Sequence, residues 1–299
     1  MGLFVVIGEK RLNIQELRKI GKDKLNSNKI DDANIKTDIL LQYVLDLNKT
    51  ELIINCNEEV EEEKKNIFLK FIEKIIEGKP VQYITHEQEF MNLKFYVDEN
   101  VLIPQPDTEI LVEEVLKCIS EIKDKEKIEI LDMCTGSGAI AISIKKYTEN
   151  LNKNIDVYAL DISEKALKIA KKNAINNNVN INFILSDMFS KLKQKDFDII
   201  VSNPPYIETE TIIGLSKEVQ NEPHLALDGG KDGLDFYRVI AKEGYTYLNE
   251  KGCILLEIGY NQKEKVMELF EKNKKYDKGE CIQDLAGNNR VLKFILKNK

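Results

Sequence analysis

From about residue 104 onward, short apolar runs alternate with segments of helical periodicity. The predicted strands are 128–131, 155–160, 181–185, 197–201, 253–258, 281–285 and 291–296. Strands that alternate with helices form a mostly parallel, doubly wound sheet, so the sequence predicts an α/β fold. Only residues 286–290 separate the last two strands, which is too short for a crossover helix. One terminal strand is therefore predicted to be antiparallel.

The first eighty residues follow a helical pattern instead. Apolar residues between Ile67 and Ile76 recur on one helix face, and Gly78 and Pro80 supply a helix end. A second amphipathic helix is predicted around 35–47 and a shorter one around 12–20. The chain is therefore divided into a helical bundle at 1–80, a β-hairpin linker at 81–103 and an α/β domain at 104–299. The hairpin prediction includes Val81-Gln82-Tyr83-Ile84 as extended chain.

Composition narrows the class of partner and the compartment. The 299 residues carry a net charge of −7, with a sequence pI of about 5.3, which disfavours a nucleic-acid backbone as the main partner. The five cysteines are not in C-x-x-C pairs and there are only two histidines, so neither a zinc site nor a disulfide framework is expected. The apolar stretch at 3–7 is too short for a signal peptide or membrane span. We expect a cytoplasmic monomer with no membrane partner and no bound metal.

The tetrapeptide Asn203-Pro204-Pro205-Tyr206 directly follows a predicted buried strand. The Asn203 side-chain oxygen and the Pro204 carbonyl can each accept one hydrogen of a planar NH2 group, and the Tyr206 ring can stack on it. Pro205 stiffens the turn and has no N–H to compete for those acceptors. Two acceptors aimed at the hydrogens favour a more tetrahedral nitrogen whose lone pair can attack. The motif therefore predicts methylation of an NH2 nitrogen.

A glycine-containing turn follows the first strand of the α/β domain, in the stretch Cys134-Thr135-Gly136-Ser137-Gly138. Its glycines allow a ligand to approach the backbone at a helix N-terminus. Asp161 ends the next strand, where an acidic residue accepts hydrogen bonds from ribose hydroxyls. A helix-capping carboxylate is the alternative for Asp161. The turn alone does not exclude a nicotinamide dinucleotide, because Ala141 can replace the third glycine of that fingerprint.

Asp187 and Met188 follow the third strand, where an adenine ring would lie in a doubly wound fold. Asp187 could accept from the adenine amino group and Met188 could pack on the ring, although a cap and a core side chain are the alternatives. Asn203 follows the fourth strand beside the same crevice. An adenosyl cofactor that faces an NH2-bearing substrate implies S-adenosylmethionine, with Asn203 next to it.

The whole chain resembles the PrmC/HemK family of peptide chain release factor N5-glutamine methyltransferases. The matching segments are 80–84, 102–109, the glycine turn, 160–163, 203–207, 218–219, 222–223, 226–227, 230–234 and 284–287. The resemblance implies a Rossmann-like class I S-adenosylmethionine-dependent methyltransferase domain. It implies that the substrate is the Gln of the Gly-Gly-Gln loop of bacterial class I release factors. It also implies that the N-terminal bundle helps to dock the release factor.

Carried over to this sequence, the resemblance implies a cofactor turn at 134–138, a ribose acid at Asp161 and a target-Gln site at 203–206. Three residues depart from the family pattern: Cys134 and His86 stand where Gly is usual, and Gln105 stands where Arg is usual. The turn is expected to survive at Cys134 if its φ is negative. Because Gln105 carries no charge, a local salt bridge or cofactor contact at this position is in doubt. His86 is interpreted as a hairpin surface residue.

Two other functions remain open at this stage. The Asn-Pro-Pro-Tyr motif is shared with DNA and rRNA amino-methylases, but such an enzyme would need a basic recognition surface. The accessory region contains the acidic run Glu58-Glu59-Val60-Glu61-Glu62-Glu63, which suits phosphate poorly and is also typical of a solvated helix face. A non-catalytic binding module would be expected to lose Asn203 or the glycine turn, and both are present.

Overall fold

The computed structural model describes residues 11–193 and 196–297 of the chain, so the apolar stretch at 3–7 lies outside the described residues. The chain divides into two compact units. The first comprises residues 1–85 and 217–221, and the second comprises residues 86–216 and 222–299.

The first unit is helical, as predicted. Its N-terminal part contains α1 (Ile14–Ser27), α2 (Ala33–Leu45), α3 (Lys49–Ile54), α4 (Glu62–Ile76) and α5 (Val81–Thr85). A capping box starts α1, because the Asn13 side chain accepts from the Glu16 N–H at 2.8 Å and the Glu16 carboxylate accepts from the Asn13 N–H at 3.0 Å. The predicted short first helix is wrong in length, since α1 has 14 residues. The apolar faces of these helices meet in one core that includes Leu17, Leu40 and Phe68.

Residues 81–84 were predicted as extended chain, and this is wrong because they form α5. Val81, Tyr83 and Ile84 are buried, and Val81 and Ile84 join the core of the first unit. Burial on one side of a helical turn outweighs the β propensity of these side chains. The turn is anchored by Tyr83, whose N–H donates to the Pro80 carbonyl at 3.1 Å.

The predicted hairpin is present but shorter than expected. It consists of β1 (Gln88–Phe90) and β2 (Leu93–Phe95), which pair antiparallel. It belongs to the second unit, where Phe90 and Phe95 pack in the same apolar core as the next helix.

The second unit continues with helices and strands in alternation. In chain order, the elements are α6 (Glu109–Glu121), β3 (Lys127–Met133), α7 (Ala139–Tyr147), β4 (Asn154–Asp161), α8 (Glu164–Asn176), β5 (Asn182–Leu185), β6 (Phe197–Ser202), α9 (Lys217–Gln220, part of the first unit), α10 (His224–Leu227), α11 (Asp235–Glu243), β7 (Leu248–Glu257), α12 (Lys263–Asn273), β8 (Glu280–Gln283) and β9 (Asn289–Ile295). The order confirms the predicted α/β fold.

Seven strands form one sheet in the order β5-β4-β3-β6-β7-β9-β8. The pairs from β5 to β7 are parallel, and β9 is antiparallel to both of its neighbours, as predicted for the last strand pair. The chain moves outward from β3 to β5 and then returns to place β6 on the other side of β3. The carboxyl ends of β3 and β6 therefore flank a topological switch point, where ligands bind in open α/β sheets.

The sheet is apolar on both faces. Every residue of β6 is buried, with Ile199 and Val201 in the core cluster that contains residues of α6 and α7. Ile200 lies in the other cluster, together with residues of α11 and α12. Strands covered on both faces read as continuous apolar runs, which is why this strand was visible in the sequence. Within the described ranges, none of the helices combines the length and apolar character needed to cross a membrane.

Candidate active site

A cavity of about 160 Å³ opens at the carboxyl ends of β3, β4, β5 and β6. Seven predicted site residues line it: Cys134, Gly136, Asp161, Asp187, Met188, Asn203 and Pro205. The predicted residues Thr135, Ser137, Gly138, Pro204 and Tyr206 are not among its lining residues. The structure thus brings the proposed ribose acid, the proposed adenine side and the Asn203 amide to one cavity.

The turn between β3 and α7 uses three residues in the left-handed backbone region. Their φ angles are +59° at Cys134, +54° at Gly136 and +82° at Gly138. The condition of a negative φ at Cys134 is therefore not met, yet the turn forms with a non-glycine residue in this strained region. A side chain at Gly138 would lie 2.9 Å from Ile142 Cδ1, whereas one at Gly136 would meet nothing within 4 Å. Gly136 thus leaves open space beside the cavity, where a ligand can approach the backbone.

Asp161 is held at the end of β4 by backbone donors. Its Oδ2 accepts from the Gly136 N–H at 2.9 Å and its Oδ1 accepts from the Ser163 N–H at 2.8 Å. Burial raises the pKa of Asp161, and the hydrogen bonds from Ser163 and Gly136 oppose that shift. Ser163 caps α8, since its hydroxyl accepts from the Ala166 N–H at 3.2 Å. The carboxylate is therefore fixed in orientation on the cavity wall.

Thr135 and Ser137 stabilise the turn through hydrogen bonds. The Thr135 hydroxyl donates to Asp132 Oδ2 at 2.6 Å, and the Ser137 carbonyl accepts from Asn173 Nδ2 at 2.9 Å. Burial raises the pKa of Asp132 to about 7, although the hydrogen bonds from Thr135 and Ala141 lower it. Thr135 and Ser137 thus stabilise the turn that lines the cavity.

The segment after β5 contains Asp187 and Met188, the two residues that were predicted to contact the adenine ring. Asp187 is exposed and Met188 is buried, with a φ of +44° at Met188. The Ser186 hydroxyl donates to the Met188 carbonyl at 2.8 Å and closes this tight turn. An apolar thioether and an exposed carboxylate therefore lie on the same wall, which suits a flat ring with an amino group.

Asn203 stands at the cavity directly after β6. Its Nδ2 donates to the Thr108 hydroxyl at 3.1 Å, which leaves Oδ1 on the other side of the amide. Pro204 is buried, and Tyr206 is partly buried against the core cluster that contains α11 and α12. Burial raises the pKa of Tyr206 to about 12, so its hydroxyl stays protonated. Stacking of Tyr206 on a substrate amide remains a prediction.

The backbone of 203–206 is braced by a glycine-rich loop. A Cβ added at Gly229 would lie 2.7 Å from Tyr206 Cα and 2.8 Å from the Pro205 carbonyl oxygen. Gly233 also packs against the Tyr206 carbonyl, which accepts from Gln262 Nε2 at 2.9 Å. Only glycine allows this close approach of two backbones. The loop therefore fixes where the Pro204 carbonyl and the Asn203 side chain lie.

Several lining residues were missed in the sequence. They are Asn100, Val101, Leu102, Leu160, Ile162, Ser163, Ala166, Ser186, Pro223, Leu225, Ala226 and Phe236. The segments 100–102 and 223–226 are joined by a buried hydrogen bond, because the Glu222 carboxylate accepts from the Ile103 N–H at 2.9 Å. Some of these residues lie in family-matching segments, but only the three-dimensional pairing shows that they share a cavity.

Gln105 makes a hydrogen bond to the nearby backbone. Its side chain is exposed, and Nε2 donates to the Ile103 carbonyl at 3.0 Å. A salt bridge exists next to it without an arginine at this position, since Asp107 pairs with Arg290 at 2.8 Å. Gln105 does not line the cavity.

Comparison with known proteins decides the family. Residues 16–85 match the PrmC N-terminal domain, and residues 108–227 match the methyltransferase small domain. A release factor glutamine methyltransferase of Bacillus cereus is 40% identical over 259 residues, which cover 85% of this chain and 90% of that protein. The chain belongs to the release factor glutamine methyltransferase family. A family member of Clostridium botulinum is 39% identical, with 94% of this chain and 98% of that protein covered.

Other similarities agree with the fold. A bifunctional methyltransferase of Rickettsia typhi is 38% identical over 94% of this chain, and the chain spans 57% of the length of that protein. The crystal structure of a methyltransferase from Pyrococcus furiosus matches with a TM-score of 0.51 at 19% identity, covering 77% of this chain and 99% of that one. The cofactor of this class of enzyme is S-adenosylmethionine. The open space at Gly136 and the fixed carboxylate of Asp161 fit its adenosyl group.

Proposed function

We propose that the chain methylates the side-chain amide nitrogen of the Gln in the Gly-Gly-Gln motif of bacterial class I release factors. The observation that carries this proposal is the Asn203 amide, which lines the cavity and uses its Nδ2 on Thr108. Because Nδ2 is engaged, Oδ1 is the atom available to accept a hydrogen from a substrate NH2 group. The membership in the family supplies the class of substrate.

The protein's own part is to bind and orient. Asn203 Oδ1 and the Pro204 carbonyl accept the two amide hydrogens of the target Gln, Tyr206 packs on the amide plane, and Pro205 stiffens the turn. Asn203 is neutral, so no buried charge has to be desolvated when it orients the amide. S-adenosylmethionine, when bound, supplies the electrophilic methyl group. Positioning of the amide nitrogen is then the main catalytic device.

We assign cofactor binding to the residues of the opposite wall. The turn at 134–138 approaches the cofactor with its backbone, and Asp161 accepts from the ribose hydroxyls. Asp187 and Met188 hold the adenine ring, and Asn203 lies where the cofactor and the substrate meet. Seven of these cofactor- and substrate-site residues share the cavity lining, which supports the assignment.

The remaining assignments are the site of action and the partners. We propose that the chain acts in the cytoplasm as a monomer, with the release factor as its protein partner and the N-terminal bundle as part of the docking surface. The net charge of −7 supports a protein rather than a nucleic-acid target. All five cysteines are free, which fits a reducing compartment.

Transfer of labelled methyl from S-adenosylmethionine tests the function. The acceptors are a purified class I release factor, its variant with Ala in place of the Gly-Gly-Gln glutamine, and DNA. We expect label on the unmodified release factor alone. Label on DNA and none on the release factor would favour the nucleic-acid amino-methyltransferase. Asn203→Ala should abolish transfer with only a modest loss of cofactor affinity, and near-normal turnover would refute the role of Asn203.

A further inference from the structure

The turn between β8 and β9 presents an apolar side chain to solvent. Leu285 in this turn is fully exposed, and Tyr260, in the loop after β7, is 65% exposed. The two segments are joined, because Asn289 Nδ2 at the start of β9 donates to the Tyr260 carbonyl at 3.4 Å. Single exposed apolar side chains are ordinary on a protein surface, so what matters is how this pair is held and where it lies.

Asp284 holds the turn in one shape. Its Oδ1 accepts from the N–H groups of Ala286 at 3.0 Å and Asn288 at 2.8 Å. Its Oδ2 accepts from Asn288 Nδ2 at 3.2 Å and from the Arg290 guanidinium at 3.1 Å. The Asp284 N–H also donates to the Asn288 carbonyl at 2.9 Å. Because the turn is already fixed, Leu285 loses little backbone freedom when a partner binds, and more of its buried apolar area contributes to affinity.

The turn is connected to the proposed substrate site by a series of direct contacts. Arg290, whose side chain is only 12% exposed, pairs with Asp284 at 3.1 Å and with Asp107 at 2.8 Å. Asp107 is followed by Thr108, whose hydroxyl accepts from Asn203 Nδ2 at 3.1 Å. The turn that carries Leu285 and the amide that is proposed to bind the target Gln are therefore held on one framework.

The turn also lies at the same edge of the sheet as the cavity. β7 is parallel to β6 and β9 is antiparallel to β7, so the loop after β7 and the turn before β9 both lie at this edge. β9 is two positions from β6 in the sheet, which places it about 10 Å away. A stable protein–protein interface buries about 800 Å² on each partner, which is a patch roughly 30 Å across. An interface centred on Asn203 is therefore wide enough to include the turn before β9.

We propose that Leu285 and Tyr260 form a docking surface for the domain of the release factor that carries the Gly-Gly-Gln loop. This inference rests on the proposed function, in which Asn203 binds the target Gln. The loop reaches the cavity only when the protein surface around it lies on this edge, and an apolar patch of that surface would be buried against Leu285 and Tyr260. Neither residue lines the cavity, so both act on binding of the whole protein substrate and not on methyl transfer.

Steady-state methylation of the release factor is compared for wild type, Leu285→Ala, Leu285→Met and Tyr260→Ala. We expect Leu285→Ala to raise the KM for the release factor about tenfold and Tyr260→Ala to raise it at least about threefold, with kcat and the Kd of S-adenosylmethionine within about twofold of wild type. Leu285→Met keeps the apolar area and should stay within about twofold throughout. These side chains are exposed, so their loss leaves the fold intact.

Ile175→Ala is the matched control. Ile175 is 75% exposed in the last turn of α8, and α8 begins at the cavity edge, so this turn lies at the opposite edge of the same unit. Its KM for the release factor should stay within about twofold of wild type. A loss as large as that of Leu285→Ala would show that exposed apolar area in general, and not this surface, determines the KM.

Calorimetric titration of release factor into enzyme saturated with S-adenosylhomocysteine gives a readout that does not need turnover. The Kd should rise about tenfold in Leu285→Ala and stay within about twofold in Ile175→Ala. If the wild type methylates the release factor while Leu285→Ala keeps its KM and Kd, the docking surface is wrong and the proposed function stands. If the wild type binds the release factor through Leu285 but methylates none, the proposed function fails and the docking surface stands. A wild type that neither binds nor methylates the release factor overturns both.

A second copy of the chain is the other occupant to be tested. Sedimentation equilibrium of the wild type and of Leu285→Ala should give a monomer in both cases. A wild-type dimer that Leu285→Ala dissociates, together with unchanged binding of the release factor, would assign this surface to self-association and overturn the inference.

Discussion

Cys134 and His86 both have backbone angles in the left-handed region, with φ of +59° and +56°. These are the two positions where glycine is usual in the family, and glycine adopts such angles without steric cost. The sequence showed the departures but not the angles, because nothing in the residue types reveals which φ a turn requires. At His86, the ring stacks on Tyr96 with centroids 5.2 Å apart, and Nδ1 lies 3.2 Å from the Val97 carbonyl. Local contacts thus compensate for the strain there.

The strain at Cys134 gives a stability prediction. Cys134→Val adds a β-branched side chain at positive φ, so we expect a loss of about 2 kcal/mol in the free energy of unfolding. Cys134→Gly relieves the strain but loosens the unfolded chain, so its change should stay within about 1 kcal/mol. Cys281→Val is the matched control, because Cys281 is half-buried in strand β8, where valine is favoured. Urea unfolding measures all three, and equal losses for both valine variants would contradict the argument.

Asp161 carries a prediction on cofactor affinity. Asp161→Ala removes the proposed acceptor for the ribose hydroxyls and the partner of the Gly136 N–H, so we expect affinity for S-adenosylmethionine to fall by at least about tenfold. Asp156 is a control on the same strand, where it pairs with Lys127 at 3.0 Å and does not line the cavity. Calorimetric titration of both alanine variants is the measurement. Unchanged affinity in Asp161→Ala would refute the ribose role.

Asp161 and Asn203 could be found in the sequence because each directly follows a recognisable strand. The carboxyl ends of neighbouring parallel strands meet at one edge, so position along the chain was enough. Thr108 gave no such signal. Its contact with Asn203, at 3.1 Å between the hydroxyl and Nδ2, joins two segments that are distant along the chain, and the pattern within either segment does not encode that contact.

At the scale of elements, the loop at 229–233 braces the Asn-Pro-Pro-Tyr segment. Gly229→Ala would place a methyl group 2.7 Å from Tyr206 Cα, so one of the two backbones must move. Because small displacements of positioning groups are costly, we expect methyl transfer to fall by about tenfold or more. Gly214→Ala is the control, since a Cβ there meets nothing within 4 Å, and its activity should stay within about twofold. Equal activity of the two variants would show that the brace is unimportant.

Helix α5 shows where element prediction from local composition fails. Its residues are typical of strands, yet the buried positions Val81 and Ile84 belong to the helical core of the first unit. A long element with strong periodicity, such as α4, was predicted because its apolar face repeats over several turns. A five-residue segment offers too few repeats to distinguish the two periods, so tertiary packing decides.

At the scale of the whole molecule, the first unit is built from two distant stretches of chain. Lys36 and Glu218 pair at 2.6 Å within this unit, with side chains 11% and 34% exposed. Asn221 Nδ2 also donates to the Gly78 carbonyl at 3.1 Å. The sequence could not predict this arrangement, because residues 217–221 lie inside the segment that was assigned to the α/β domain.

This arrangement predicts a local opening. Lys36→Met removes one partner of a largely buried ion pair, so the amides of 217–221 should exchange with solvent faster, by about 1–2 kcal/mol of opening free energy. Lys24→Met is the control, because Lys24 and Glu73 form an exposed pair in the same unit and such pairs contribute little. Hydrogen exchange followed by mass spectrometry reports on the segment. Unchanged exchange in Lys36→Met would contradict the contribution of this pair.

Two buried acids set a pH dependence for the stability of the whole second unit. Burial raises the pKa of Asp132 from 3.8 to about 7 and that of Glu257 from 4.5 to about 7. Between these limits the folded state binds more protons than the unfolded state, so the free energy of unfolding falls as pH rises from about 4.5 to about 7. The carboxyls whose pKa is lowered, Asp228, Asp232, Asp284 and Glu268, act in the opposite direction at more acidic pH.

Glu257→Gln tests this linkage, because glutamine fills the same space without a charge to bury. We expect the variant to lose about 3 kcal/mol of the fall in unfolding free energy between pH 5 and pH 8. It should therefore be more stable than wild type at pH 8. Urea unfolding followed by circular dichroism at both pH values measures this, with exposed Glu268→Gln as control. A variant that is destabilised at pH 8 would show that the Glu257 carboxylate stabilises the fold, which would contradict the expected cost of burying its charge.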